Sequence, residues 1–243
     1  MCDSHIPPTP DYARPVTITY SPPALWDPHY DPANPDVGGK PLSLIPDAFK
    51  HRTDLLEAPT LIGTATEFQQ LLDDRRVERE KNCLRICTQN HSSITDLFVA
   101  VLNFTGKTWT GQLMGAVEAD VLQVVLYQKK IFNRARPYQI RPDLTPPFTP
   151  GHPSYPGGHS AQSSAVATTI ALILQSSDNR YWTLIQQCNT LARDIARNRE
   201  LAGIHYPSDT AAGLALADLY MQAAFASDKF KRELNHARDE WQA

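Results

Sequence analysis

The sequence predicts an all-α, single-domain helical bundle preceded by a proline-rich extended arm. Three observations point there. From Thr66 onward apolar residues recur at helical spacing, with no alternating strand pattern among them. The 243 residues, 42% of them apolar, suffice for one sizeable core. Finally, 12 of the 20 prolines fall in the first 60 residues, where they exclude long helices and ladders. The chain thus divides into an arm, 1–60, that packs on a helical body, 61–243.

The arm is irregular, with at most a short strand at VTITY (16–20), and Trp26, Tyr30 and Leu44 give it apolar contacts for the body. The body opens at TEFQQLLDDRRVEREKN (66–82), with Thr66 as cap candidate and Phe68, Leu71 and Leu72 at helical spacing. Its DDRRVERE portion is a solvated face with i,i+4 charge pairs. Ser92 to Phe104 forms a second helix through Ile94, Leu97, Phe98 and Val101. The run GQLMGAVEADVLQVVLYQKKIFNRA (111–135) forms a long third helix that Pro137 ends. Helices over 159–175, 180–200 and 207–226 complete the body.

Composition excludes several functions. A net charge of -3 and a pI near 6.2 give no basic footprint for nucleic acid. No run reaches the roughly 18 apolar residues of a membrane span, and the N-terminus has neither the basic start nor the apolar core of a secretory signal. The expectation is a soluble, cytoplasmic protein. Cys2, Cys83, Cys87 and Cys188 form no CxxC pair and no zinc-like spacing, so they are expected as packing or surface thiols. GKT (106–108) lacks the glycine five residues earlier that a phosphate loop needs; Val101 stands there. GHSAQ (158–162) lacks the closing glycine of a nucleophile elbow.

Three other segments share an anion-binding theme. In KKIFNRARP, Lys129 and Arg136 lie seven residues apart, nearly one helical face and about 10 Å along the axis. Two cations facing one way repel unless an anion sits between them, although a basic helix C-terminus accounts for them too. In HPSYPGGHS (152–160), Gly157 and Gly158 let backbone N–H groups approach an anion at the start of a helix, whose positive end points there. His159 then stands at the rim of the anion site, able to hand over a proton; a plain helix cap with an exposed histidine is the alternative. In NRELAGIHYPSD (198–209), Arg199 offers a fork of donors, and Asp209 falls within reach of one ring nitrogen of His205. A carboxylate there fixes the tautomer and leaves the other nitrogen free to attack, while a structural His–Asp pair needs no such role.

Taken together, Lys129-x6-Arg136-Pro137, Pro156-Gly157-Gly158-His159 and Arg199-x5-His205-x3-Asp209 resemble the signature shared by type 2 phosphatidic acid phosphatases, bacterial class A acid phosphatases and vanadium-dependent haloperoxidases. The resemblance covers about 129–213. It implies a helical bundle with the site in its core. Lys129, Arg136, Arg199 and the two glycines would bind phosphate oxygens, His205 would form a phosphohistidine, Asp209 would orient it, and His159 would protonate the leaving oxygen. Two departures stand out: the family's serines are replaced by Gly157 and Asn198. Losing the first hydroxyl removes a charge-assisted bond of roughly 1.5–3 kcal/mol.

The activity expected is a metal-independent phosphatase acting on a phosphate monoester or diphosphate, with a phosphorylated small molecule or prenyl diphosphate as substrate and no cofactor. Alternatives are a vanadium haloperoxidase with vanadate on His205, an enzyme reshaping a prenyl diphosphate, a non-enzymatic anion binder, and a metallohydrolase using His152, His159, His205 and Asp209. No nucleic acid or membrane span is expected, and a proline-rich arm can clasp a neighbour in a homo-oligomer.

Overall fold

A computed structural model gives the fold and describes residues 27, 30–34, 40–60, 62–103, 105–175 and 179–242. All regular structure among these residues is helical: α1 (Ala65–Asp74), α2 (Cys83–His91), α3 (Ile94–Leu102), α4 (Thr108–Phe132), a short α5 (Pro137–Ile140), α6 (Gly158–Leu174), α7 (Trp182–Leu201), α8 (Pro207–Ala226) and α9 (Asp228–Gln242). The expected all-α bundle is therefore the architecture. No helix among the described residues is long and apolar enough to cross a membrane.

The bundle is built around α6, which packs on α4, α7 and α8. Its sequence explains this. GHSAQSSAVATTIALIL is small and apolar on nearly every side, so it has no solvent face to present and is buried for most of its length. Small side chains let the neighbours come close. At the α6–α8 crossing, a Cβ on Gly213 would overlap Ser160 Oγ and the Gly157 carbonyl.

Element ends depart from the sequence reading in instructive ways. Thr64, not Thr66, caps α1: its Oγ1 accepts from Glu67 N–H at 3.2 Å, and Glu67 accepts from Thr64 N–H at 2.9 Å. A π-helical turn, Arg75–Arg79, interrupts the helix expected to run to 82, and α2 occupies a stretch for which no helix was expected. α4 stops at Phe132 because Asn133 takes the left-handed conformation (φ 45°) and donates its N–H to Lys129 O, so Asn133 and not Pro137 ends it. Two helix starts are capped from other helices. Glu118 on α4 accepts from the N–H groups of Ile94 and Thr95, and Glu240 on α9 accepts from those of Trp109 and Thr110. Helix α9, absent from the sequence reading, buries Phe230, Leu234 and Ala237 at i, i+4, i+7.

VTITY and Trp26 lie outside the described residues. Nearer the body, Leu42, Leu44, Ile45 and Leu55 join the main core. Asp120 on α4 anchors this stretch by accepting from Ser43 N–H (2.7 Å), Ser43 Oγ (2.9 Å) and Leu44 N–H (2.9 Å), and from Tyr220 OH on α8 (3.1 Å). Cys83 is disulfide-bonded, which corrects the expected thiol, while Cys188 is a buried thiol.

Candidate active site

The last turn of α4 buries Lys129. Its ammonium donates to three backbone carbonyls, Pro153 (2.8 Å), Ser154 (2.8 Å) and Pro156 (2.6 Å), and so holds the loop before α6 in place. Because Asn133 breaks the helix, Arg136 does not share a helical face with Lys129, as the spacing suggested. It is the N-cap residue of α5 and reaches inward from the connector. Its guanidinium donates to the carbonyls of His152 (2.9 Å), Ile204 (2.7 Å) and Pro153 (3.2 Å). The same group sits 3.1 Å from His152 Nδ1 and 3.4 Å from His205 Nε2.

The loop delivers the chain to the start of α6. Gly158 is the first residue of the helix, where N–H groups lack intrahelical partners, and it lines the cavity described below. Gly157 does not serve as expected. Its N–H donates to Asp209 O at 2.8 Å, away from any anion, and it does not line the cavity. A Cβ at Gly157 would overlap Ser160 Oγ and stand 2.9 Å from Asp209 O, so the glycine is required by the close approach of α6 to α8. His159 follows in the first turn, its ring hydrogen-bonded to the Gln89 carbonyl.

Helices α7 and α8 supply the rest. Pro207 starts α8, and Asp209 in its first turn accepts from Tyr206 N–H at 2.9 Å. The same oxygen, Oδ2, lies 3.1 Å from His205 Nδ1. With Nδ1–H donated to the carboxylate, Nε2 keeps its lone pair and turns it toward Arg136. Arg199, buried in the last turn of α7, donates to Ile86 O (2.8 Å) and stacks over Phe148 at 5.4 Å. Its Nε and Nη1 have no hydrogen-bond partner among the described residues. Asn198 points elsewhere, its amide donating to Gln89 Oε1 at 3.0 Å.

These pieces meet at a cavity of about 440 Å³. Lys129, Arg136, His152, Gly158, His159 and His205 line one end of it. Arg199 is not in the wall, yet its charge disfavours protonation of both His159 and His205. Burial, followed by Arg136 and Lys129, holds His205 well below the usual histidine range. Burial and Arg199 pull His159 down to about 3. Burial also lowers Lys129 well below an ordinary lysine and Arg136 and Arg199 to about 10. Asp209 is raised by burial against the pull of Arg134.

The sequence reading missed Arg134 altogether and assigned His152 only to a metal site. Arg134 is fully buried, donates to Asp209 Oδ1 at 2.7 Å, and stacks on Tyr206 at 4.1 Å. The alternation Arg-Ala-Arg at 134–136, with both cations inward, was the available signal. His152 lies in the same quoted HPSYPGGHS stretch. No group of three or more His, Cys, Asp or Glu residues among those described is arranged to hold a metal ion.

Arg134 has carboxylate partners in Asp209 and Glu67. Lys129, Arg136 and Arg199 have none among the described residues, and only backbone carbonyls and histidine nitrogens receive their bonds. Buried charges are ordinarily paired. Here Lys129 and Arg136 stand in the cavity wall beside a helix N-terminus, with Arg199 behind it, and none of the three has a carboxylate partner among the described residues.

Comparison with known proteins bears on the family and the fold. The model of the PAP2 superfamily matches residues 110–232. Among solved structures, the first transmembrane PAP2 type phosphatidylglycerolphosphate phosphatase from Bacillus subtilis shares the fold with a TM-score of 0.52 at 19% identity, over 67% of this chain and 84% of that one. No curated protein matches the sequence.

Proposed function

The chain belongs to the PAP2 superfamily, which supports phosphoric ester hydrolysis in general, and from that premise we propose that it is a metal-independent phosphatase working through a phosphohistidine at His205. What carries this reading is the set of buried, carboxylate-free cations: Arg136 3.4 Å from His205 Nε2, Lys129 in the wall of the same cavity, and Arg199 with two unpartnered donors and a charge that acts on His205.

In the proposed cycle the phosphate of a monoester or diphosphate enters against Arg136, Arg199 and the start of α6, while Lys129 contributes charge and holds the loop. His205 Nε2 attacks phosphorus; the bond to the leaving oxygen breaks, and that oxygen takes a proton from His159. Asp209 accepts the Nδ1–H of the now cationic ring. Water then attacks the phosphohistidine, giving a proton back to His159, and inorganic phosphate leaves with His205 restored. Burial, and then the cations around it, depress His159 in the empty cavity; a bound dianion offsets the cations' part and favours its protonation. Fixed donors placed where charge gathers on the pentacoordinate species supply the largest share of the rate enhancement. Vanadate adopts the same trigonal bipyramid, so the same donors would hold it and it would compete with substrate.

The test is a phosphate-release screen across sugar phosphates, nucleotides and prenyl diphosphates, with vanadate as competitor. Release inhibited by vanadate and abolished in both His205→Ala and Arg199→Ala is expected. Unchanged release in both variants overturns the assignment, and strong dye bromination with vanadate and peroxide would replace it with a haloperoxidase.

A further inference from the structure

We propose that Glu67, on a helix outside the matched segment 110–232, is a positioning residue for the His205–Asp209 pair and acts through Arg134. The proposal rests on the phosphohistidine reading above and gives the N-terminal half of the body a part in the reaction.

The contacts form one chain from α1 to the reacting nitrogen. Glu67 Oε1 accepts from Ser208 N–H at 3.1 Å and from the Ser208 hydroxyl. Glu67 Oε2 completes the cap of α1 and lies 3.6 Å from Arg134 Nη2. Arg134 Nη1 in turn donates to Ser208 Oγ at 2.8 Å and to Asp209 Oδ1 at 2.7 Å, leaving Asp209 Oδ2 for His205 Nδ1 at 3.1 Å. Arg134 and Asp209 are both buried and Glu67 nearly so, with side-chain exposures of 1%, 0% and 13%. Solvent therefore screens these charges weakly.

Two consequences follow from the placement. First, Glu67 divides the charge of Arg134. With Asp209 as its only anion, Arg134 would draw the carboxylate's electron density away from His205 and weaken its grip on the Nδ1 proton. Second, Glu67 fixes Ser208, the residue immediately before Asp209, and thereby the first turn of α8 on which Asp209 rides. A carboxylate that cannot orient the ring lets both tautomers form, and only one presents a nucleophile to phosphorus. Capping α1 alone would need only the bonds with Thr64; the bonds from Ser208 and the proximity to Arg134 serve the far side of the carboxylate.

The experiment compares the full-length chain with Glu67→Gln, Arg134→Lys, Thr64→Ala and His205→Ala, using p-nitrophenyl phosphate release and the ¹⁵N shifts of the His205 ring. Glu67→Gln should lower kcat about 10–100-fold, the scale of a slightly misplaced catalytic group, with KM changed less than threefold. Its His205 spectrum should move from a single Nδ1–H tautomer toward a mixture. Arg134→Lys, which keeps the charge but not the fork, should retain part of the activity that Glu67→Gln loses. Thr64→Ala removes the hydroxyl half of the helix cap and leaves Glu67 with Ser208 and Arg134, so its kcat and ring shifts should match the parent even if its melting temperature falls. Equal losses in Thr64→Ala and Glu67→Gln, or an unchanged His205 tautomer in Glu67→Gln, would show that Glu67 is only a cap. Full activity in His205→Ala would instead remove the phosphohistidine reading beneath it, so the two failures are distinguishable.

Discussion

Restoring the family's serine at position 157 should damage this protein, not improve it. The backbone there (φ −67°, ψ 111°) is open to any residue, so strain in the dihedrals is not the obstacle. The obstacle is space. A Cβ would overlap Ser160 Oγ and stand 2.9 Å from Asp209 O and 3.2 Å from Asp209 C. Ser160 can rotate, but only by giving up its 2.9 Å bond to the Gly157 carbonyl, about 1 kcal/mol. The Asp209 carbonyl belongs to the first turn of α8 and cannot rotate. Such overpacking costs about 1–3 kcal/mol, set against a gain of about 0.4–1 kcal/mol from stiffening the unfolded chain. Gly157→Ser should therefore lose about 1–3 kcal/mol, or about 2–12 °C in Tm for a chain of this size. Moving α8 also moves Asp209, so the vanadate inhibition constant should stay level or rise. A hydroxyl that did reach the anion would tighten inhibition about tenfold or more. The assays are calorimetry and vanadate titration of p-nitrophenyl phosphate turnover, with Gly157→Ser/Ser160→Ala recovering only part of the stability because the Asp209 contact remains. A Gly157→Ser variant that melts no lower than the parent and binds vanadate tenfold tighter would refute the packing argument.

Acidity should favour turnover. A depressed pKa keeps His205 neutral well below the ordinary histidine value near 6.5, while His159 must be protonated and is depressed to about 3 in the empty cavity; kcat/KM should therefore rise as pH falls from 7 to 5, and a profile that collapses below 6.5 would contradict it. Stability should run the other way. His152, His159 and His205 are all neutral in the fold and charge on unfolding below about 6.5, so stabilisation is fully present above that value and is lost as pH falls. Each contributes a slope near 1.4 kcal/mol per pH unit until its folded value is reached, which urea titrations between pH 7 and 5 will read. A flat Tm across that range would mean the histidines take up protons in the fold as readily as in the unfolded chain.

How much of this was visible in the letters differs by element. The long α4 and the small-residue α6 announce themselves, because periodicity and composition act locally. Their ends do not. Asn133 stops α4 four residues before Pro137, and this one left-handed residue turns two cations imagined on a helical face into a lysine on the helix and an arginine on the connector. Capping by distant side chains is illegible for the same reason: Glu118 and Glu240 cap α3 and α4 only once the bundle has assembled. His159 and His205 could be placed from the letters because a helix start and the four-residue step to Asp209 fix where they fall, whereas Lys129, Arg136 and Arg199 came together as a set only through the resemblance. Gly157 misled, since a glycine required for close packing and a glycine exposing an N–H are the same letter. Arg134 and Glu67 sit 67 residues apart in sequence (134 less 67), and only the assembled bundle brings them to 3.6 Å, with Ser208 bonded to both.

The way the three cations are solvated carries a last prediction. Backbone carbonyls surround Lys129 and Arg136 and hold Arg199 at one corner. A carbonyl dipole stabilises a buried cation and fixes its position without cancelling its charge, so the cavity keeps its positive field for an incoming anion. A carboxylate would stabilise the empty protein better and forfeit that field, a trade of stability against function. His152 is the place to try it, because an aspartate oxygen at that position would fall near where Nδ1 now lies, 3.1 Å from Arg136 Nη2. His152→Asp should leave the empty protein as stable as the parent or more so, while vanadate inhibition and turnover weaken at least about tenfold, the effect of one close opposite charge worth 1.4 kcal/mol. His152→Asn has the same shape without the charge and should keep most of the affinity. If the aspartate variant binds vanadate as tightly as the asparagine variant, the unpaired charge of Arg136 is not what draws the anion, and the case for the cavity as an oxyanion site weakens at its base.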